Sequence, residues 1–397
     1  MFEKKLLCAR IQRAIAALKE QDIDLWLTVG RETHLLGEPA FLFFLPSEMG
    51  HLSALALFKT GENILLTTGL YIEEMQTYGG HEENILYKDW NDFDCKLAEL
   101  VARVPKNGRI ALNFSDGDTS ADGLSLTQYR RLQRIFRSAG FEGELVSSHI
   151  LMKRARAQKS PEEVAGIEHT VLQAMQAFEE ARQFIRSGVS GRDIQAWFQN
   201  WVDSRRYGYS WEKTGNPYCS IGARSSYYCV RPPVDVFAQP GDLINVDFGL
   251  RINGFASDNQ RSYYVLCPGE TQAPEELQRA FEAVQAAERA AVAAMRPGVD
   301  TCVLGQAASD VFERLGYPRV SGLGHELGTF AHEGGIGCGG IGFRTGLDTT
   351  LEEGMTFTME PAILTPYGRL CQEEVVTVTH DGGRMLSTPQ KEIWLVK

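Results

Sequence analysis

Residues 241–265 read GDLINVDFGLRINGFASDNQRSYYV. Two strand-like runs flank Asn253-Gly254, a dipeptide that strongly favours a two-residue hairpin turn. A β-hairpin with strands 243–250 and 255–265 is therefore predicted. Antiparallel pairing about that turn places opposite one another residues whose numbers sum to about 507. Asp247 then has its partner near 260 and Asp258 near 249, which makes the two carboxylates diagonal neighbours. Aspartate is disfavoured inside a strand, and Ile244, Val246 and Phe248 mark this one as a core strand. Two carboxylates held this close repel unless a cation sits between them.

Further candidates lie downstream. Residues 322–333 read GLGHELGTFAHE and hold His325 and His332, two of only eight histidines in the chain. Their spacing is not that of a zinc-protease HExxH helix, because position 329 is Thr. Residues 356–364 (TFTMEPAIL) and 372–379 (QEEVVTVT) place Glu360, and Glu373 or Glu374, in apolar strand-like runs. Buried carboxylates need partners. Four carboxylates with one imidazole make a ligand set for two hard or borderline divalent metals. Residues 337–342 (GCGGIG) match a dinucleotide-binding glycine pattern, but no helical run follows, so a loop is expected there.

The same half of the chain contains an echo. Residues 181–190 (ARQFIRSGVS) and 291–300 (AVAAMRPGVD) each end a helix, turn through Gly-Val and offer a capping Ser or Asp to a second helix. Two copies about 110 residues apart point to a duplicated domain with a site between its halves. Upstream, an amphipathic helix within residues 1–24 carries Leu6, Ile11, Ile15 and Leu18 on one side. Strand patterns at 25–29, 54–58, 64–68 and 110–112 and a helix at 129–137 read as a small α/β domain. Between the two lies the basic stretch 153–159 (KRARAQK), expected to be a solvated linker. Ser160-Pro161-Glu162-Glu163 then starts a helix running to about Phe184, as a capping serine with proline and acids in the first turn. The boundary is placed here, giving domains 1–152 and 153–397.

Composition removes several classes. The 397 residues carry 51 acidic and 40 basic side chains, a formal charge of -11, so a nucleic-acid partner is not expected. No apolar run is long enough to span a bilayer, and residues 1–24 lack the apolar core of a signal peptide. Eight scattered cysteines without a CxxC pair read as reduced thiols, and a cytoplasmic location is expected.

With these residues in view, the chain resembles the pita-bread metallopeptidases, which include Xaa-Pro dipeptidases (prolidases), Xaa-Pro aminopeptidases and methionine aminopeptidases. The resemblance implies an α+β protein: an N-terminal creatinase-type α/β domain, then a pseudo-twofold pita-bread catalytic domain. Asp247 matches the Asp of the family's D-x-G strand and Asp258 that of its S-D-x-x-R segment. His325 matches its G-H segment, Glu360 its E-P motif, and Glu373 the Glu opening its final strand, with Glu374 as the alternative. The resemblance implies that Asp247 chelates one metal, His325 and Glu360 the other, and that Asp258 and Glu373 bridge the pair around a shared hydroxide. Glu360 would act as general base, and His332 would contact the scissile carbonyl. The metals would be two divalent ions, Mn²⁺ first, with Co²⁺ or Zn²⁺ as alternatives. The partner would be a peptide substrate, and the chain would form a homodimer.

Two departures bear on activity. The family's usual His 17 residues before the first Asp is Val230 here, with Arg231, Tyr227 and Tyr228 nearby. Prolidases follow the second His with a Pro-Arg that grips the substrate carboxylate, whereas Glu333-Gly334 follows here. The main expectation is a dinuclear-metal peptidase cleaving the N-terminal bond of Xaa-Pro dipeptides or peptides. The alternative is a weakened or non-catalytic pita-bread protein that acts as a binding module.

Overall fold

The computed structural model describes residues 4–32, 37–47, 49–116, 121–224, 236–318, 322–335 and 350–397. The chain divides into two compact units, Met1–Ala157 and Gln158–Lys397.

The first unit begins with helix α1 (Lys4–Glu20), whose Leu7, Ile11, Ile15 and Leu18 are buried. Strand β1 (Leu25–Gly30), helix α2 (Pro39–Phe44), strands β2 (Ser53–Phe58) and β3 (Asn63–Thr67), helix α3 (Gly69–Tyr78) and strand β4 (Glu83–Leu86) follow. Helix α4 (Trp90–Val101), strand β5 (Arg109–Leu112), helix α5 (Leu126–Ser138), strand β6 (Glu144–Ser147) and helix α6 (His149–Ala157) complete it. The six strands form one mixed sheet in the order β4-β3-β2-β1-β5-β6. Both faces are buried, which is why the central strands read as unbroken apolar runs. Trp26, Leu55 and Leu57 pack with Leu7, Phe41 and Met152 on one face. Leu25, Leu27, Ala54 and Ala56 pack with Phe93, Leu97, Leu132 and Phe136 on the other.

The basic stretch is not a solvated linker. Residues 153–157 are the end of α6, and Lys153 and Arg156 are only 5% and 1% exposed. Lys and Arg carry long apolar stems, and Leu151, Met152, Ala155 and Ala157 draw this turn into the core. The division between the units accordingly falls after Ala157, not after residue 152.

The second unit opens with helix α7 (Pro161–Ala181), capped as the sequence suggested. Ser160 Oγ accepts from the Glu163 amide at 3.2 Å, and the Glu163 carboxylate accepts from the Ser160 amide at 2.9 Å. The helix stops at Ala181, three residues earlier than expected, and the chain turns through Phe184. Helix α8 (Gly191–Ser204) and strands β7 (Gly208–Tyr209), β8 (Tyr218–Ile221), β9 (Leu243–Phe248), β10 (Leu250–Ile252), β11 (Phe255–Ala256) and β12 (Asn259–Val265) follow. Next come helices α9 (Glu275–Ala294) and α10 (Thr301–Arg314), then strands β13 (His325–Glu326), β14 (Gly334–Gly335) and β15 (Thr356–Met359). Strands β16 (Ala362–Thr365), β17 (Gly368–Cys371), β18 (Glu374–Thr379), β19 (Gly382–Met385) and β20 (Trp394–Val396) finish the chain. The larger sheets run β20-β12-β9-β8 and β14-β13-β15-β18-β19.

The echo in the sequence is an echo in structure. Gly188 donates to Ala238 O and Ala238 donates back to Val189 O, both at 2.8 Å. Gly298 and Leu351 repeat the pattern with Val299, also at 2.8 Å. From there the halves run in step, 113 residues apart, through two hairpins. In the first, Leu243–Phe248 pairs with residues 259–264, and Ile252↔Phe255 closes on Asn253-Gly254, both of positive φ. In the second, Thr356↔Thr377 through Thr365↔Gly368 hold the same register. The halves meet where Gln260 bridges its counterpart Glu373.

Cys8, Cys95, Cys219, Cys267 and Cys371 are free thiols, but Cys302 is disulfide-bonded. The expectation of reduced thiols throughout is thus corrected, since scatter along a chain carries no information on distance in space.

Candidate metal centre

The predicted site residues converge where the two hairpins meet. On β9 the apolar Ile244, Val246 and Phe248 enter the core of the unit, and alternation turns Asp247 to the opposite face. The ladder then breaks at Gly249, where a Cβ would lie 2.3 Å from Ser257 O. Ser257 closes the break by accepting the Leu250 amide on Oγ at 2.9 Å, and Ser210 Oγ donates to the Leu250 and Ser257 carbonyls at 2.5 and 2.6 Å. This kink presents Asp258, 4% exposed, beside Asp247.

His325 arrives from β13. Gly324 before it has φ +153°, and a Cβ there would meet Thr358 O at 2.1 Å, so glycine is what permits this approach to β15. The His325 amide donates to Thr358 Oγ1 at 3.1 Å. Its Nδ1 lies 3.3 Å from Glu326 O; a proton there leaves the Nε2 lone pair for the cluster. Nε2 lies 3.6 Å from Asp258 Oδ2, 3.8 Å from Glu360 Oε1 and 3.9 Å from Glu373 Oε1. Three overlapping groups have ligand atoms within 4.8 Å of one another: Asp247, Asp258 and Glu373; His325, Glu360 and Glu373; and Asp258, His325 and His332. The His332 ring stands edge-on to His325, with centroids 4.4 Å apart, and its residue is otherwise exposed.

Glu373 and not Glu374 faces this cluster. Glu374 points away, where its Oε2 accepts from Arg261 at 2.9 Å and from Ser387 Oγ. Neighbours in a strand point to opposite faces, so only one of the two can serve the site.

The electrostatics call for positive charge. Burial, with Glu360 adding, pushes the Asp247 carboxyl up to about 7. Burial and then neighbouring carboxylates hold Asp258 and Glu373 well above the usual range. Burial also raises Glu360, against the pull of Arg369 and His332. Burial lowers His325 to about 4, which keeps the imidazole neutral. Asp247 Oδ1 and Asp258 Oδ1 are buried and find no hydrogen-bond donor among the described residues. Orphaned carboxylate oxygens beside a neutral imidazole are the donor set a divalent cation requires.

Two residues of the site escaped the sequence reading. Gln260 Nε2 donates to Glu360 Oε2 at 3.1 Å and to Glu373 Oε2 at 3.0 Å. Arg369 donates to Gln260 Oε1 at 2.6 Å and to Asn245 Oδ1 at 2.9 Å, fixing which way the Gln260 amide points. The signal for Gln260 was available, because the hairpin register sets it directly opposite Asp247. Val230 with its neighbours Tyr227, Tyr228 and Arg231, and the glycine-rich 337–342, lie outside the described residues.

A duplicated hairpin domain with a buried carboxylate–imidazole cluster at its junction defines a metal-dependent hydrolase. Residues 165–381 match the model of metallopeptidase family M24, more than half of the chain. The chain belongs to that family and is a metallopeptidase. It is 28% identical to the Xaa-Pro dipeptidase of Lactobacillus helveticus, over 86% of this chain and 88% of that protein. It is 25% identical to a putative dipeptidase of Bacillus subtilis, over 97% and 99% of the two chains. Among solved structures it resembles a dipeptidase from Pyrococcus horikoshii OT3 (TM-score 0.76, 23% identity, 98% and 100% of the two chains). It also resembles the X-Pro aminopeptidase of Thermotoga maritima MSB8 (TM-score 0.75, 24% identity, 97% and 99%). The fold is thus the expected creatinase-type domain followed by the pita-bread domain. The binding-module alternative finds no support in these relatives. No helix among the described residues is long and apolar enough to cross a membrane.

Proposed function

We propose that this metallopeptidase hydrolyses the N-terminal peptide bond of Xaa-Pro dipeptides or peptides with two divalent metal ions, Mn²⁺ first. The observation that carries this reading is the convergence of Asp247, Asp258, His325, Glu360 and Glu373 around two orphaned carboxylate oxygens. Asp247 would hold one ion, His325 and Glu360 the other, and Asp258 and Glu373 both. When bound, such a pair polarises the scissile carbonyl and supplies a hydroxide nucleophile at neutral pH.

The protein's own groups divide the remaining work. Glu360 is half-buried at the edge of the cluster, with Oε2 held by Gln260 and Oε1 directed towards His325. In this reading it takes a proton at Oε1 and returns it to the leaving amine. His332, open to solvent on one side, donates to the scissile carbonyl oxygen as negative charge develops there. Gln260 keeps Glu360 and Glu373 apart in fixed orientations. The Xaa-Pro preference draws support from the Lactobacillus relative. A cytoplasmic homodimer completes the proposal.

The test is Mn²⁺-dependent cleavage of an Xaa-Pro dipeptide and of an Xaa-Pro-Xaa tripeptide, with Asp258→Ala as control. Cleavage of the dipeptide assigns a dipeptidase, and cleavage of the tripeptide alone an aminopeptidase. Absence of both activities and of bound metal refutes the proposal. Metal analysis and sedimentation test the ion and the dimer.

A further inference from the structure

Lys159 and Glu333 form an ion pair with side chains only 5% and 0% exposed, Nζ lying 3.0 Å from Oε2. The pair stands outside the carboxylate cluster but touches both segments that deliver groups to it. Lys159 donates its amide to Gly354 O at 3.1 Å. Gly354, with φ +87°, turns into β15 and so towards Glu360, and a Cβ there would lie 2.5 Å from Lys159 O. The Lys159 side chain reaches the other segment, which carries His332.

Glu333 closes that segment from within. Its Oε1 accepts from the Thr329 amide at 2.8 Å and the Phe330 amide at 3.3 Å. Its own amide donates to Glu326 O at 2.9 Å, one residue beyond His325. Gly328 is packed so tightly that a Cβ would lie 2.7 Å from both Glu333 Oε2 and Lys159 Cε. The residue that follows His332 is therefore held twice, by a backbone bond to β13 and by its carboxylate lodged inside the turn. A neutral side-chain oxygen could accept the same two amide bonds. A charged acceptor makes them stronger, but only with a cation buried beside it.

We infer that the Lys159–Glu333 pair is a positioning device that fixes the His332 ring against His325 at the distance the reaction needs. Both residues act through His332, and neither is assigned a contact with substrate. This rests on the proposed role of His332 in peptide hydrolysis.

The test compares Glu333→Asp, the double variant Lys159→Met/Glu333→Gln, and His332→Ala. Three quantities are read: the His332 imidazole resonances of the metal-free protein by NMR, bound Mn²⁺ per chain, and kcat and KM on an Xaa-Pro substrate. The double variant keeps the turn's acceptor and removes both charges. It should bind Mn²⁺ as the parent does, keep KM within about twofold, and lose about 10–100-fold in kcat. Its His332 resonances should shift, and adding His332→Ala should lower kcat little further. Glu333→Asp, which withdraws the carboxylate by one methylene, should act in the same direction and less strongly. Parental kcat with unshifted His332 resonances overturns the inference, as does a kcat loss fully additive with His332→Ala. If the double variant does not fold, Glu333→Asp decides by the same readouts. If His332→Ala alone leaves kcat unchanged, the hydrolytic role of His332 fails. The resonances of the metal-free variants then still decide whether the pair holds the ring.

Discussion

The hairpin 243–265 sets Asp247 opposite Gln260, and the hairpin 356–379, 113 residues on, sets Glu360 opposite Glu373 in the same register. Asp258 has Cys371 as its counterpart, and Arg261 has Glu374. The backbone is repeated and the chemistry is not. Two identical copies would also bring four carboxylates together, but would set glutamine against glutamine or glutamate against glutamate at the junction. One copy instead supplies an amide, which donates to the carboxylates of the other. Away from the cluster, Arg261 and Glu374 turn the same pairing of counterparts into a buried ion pair.

The sharpest way to break this comparison is to exchange the counterparts. Glu373→Gln should lower Mn²⁺-dependent kcat/KM by about 10³-fold or more, some 4 kcal/mol, and lose bound metal. The double exchange Gln260→Glu/Glu373→Gln should not recover it, because Asp258 and His325 are not duplicated across the junction. Recovery, measured as kcat/KM with metal content, would show the halves to be interchangeable.

Next in size is the buried pair. Arg261 donates to Gln260 O, Glu373 O, Glu374 Oε2 and Thr388 O, tying both hairpins together. Arg261→Met should cost about 3–5 kcal/mol in urea unfolding, because the buried Glu374 is left without its cation. Glu168→Ala, at the half-exposed pair with Arg384, should cost less than about 1 kcal/mol.

The third prediction concerns pH. The folded Asp247 carboxyl, near 7, lies above the ordinary value of 3.8. Its contribution to the metal-free fold is therefore full below about pH 4 and is lost as pH rises through 7. The loss is about 1.4 kcal/mol per pH unit between those values. Asp247→Asn should remove that decline, so unfolding curves of the two metal-free proteins diverge from pH 5 to pH 8. Added Mn²⁺ should stabilise the parent more at pH 8 than at pH 5, where protons compete for the same oxygens. The smallest effect is expected for Cys371→Ser. Among the described residues the thiol lies 3.5 Å from the Glu360 and Gln372 carbonyl oxygens, either of which suits a hydroxyl, so stability should change by about 1 kcal/mol or less.

The site was legible where the signal was local. Asn253-Gly254 fixed a turn, the turn fixed a register, and the register placed Asp258 beside Asp247. The Gly-Val echo announced the duplication. What failed depended on neighbours distant in sequence. Arg369 reads as an ordinary strand residue until Gln260 is seen in front of it. Lys153 and Arg156 look like surface charges, yet both are buried in the folded unit. The choice between Glu373 and Glu374 needed to know which face of β18 meets His325, and motif spacing alone does not say.

The contact between Gln260 and Glu373 has a consequence for how such a site can arise. In a dimer of identical chains, every residue on the twofold axis must face its own copy. Glutamate would there meet glutamate, and glutamine would meet glutamine. An amide facing a carboxylate across the junction is open only to two halves joined in one chain, where each can change without the other. Fusion is therefore part of the chemistry: it lets a symmetric scaffold hold an asymmetric set of charges.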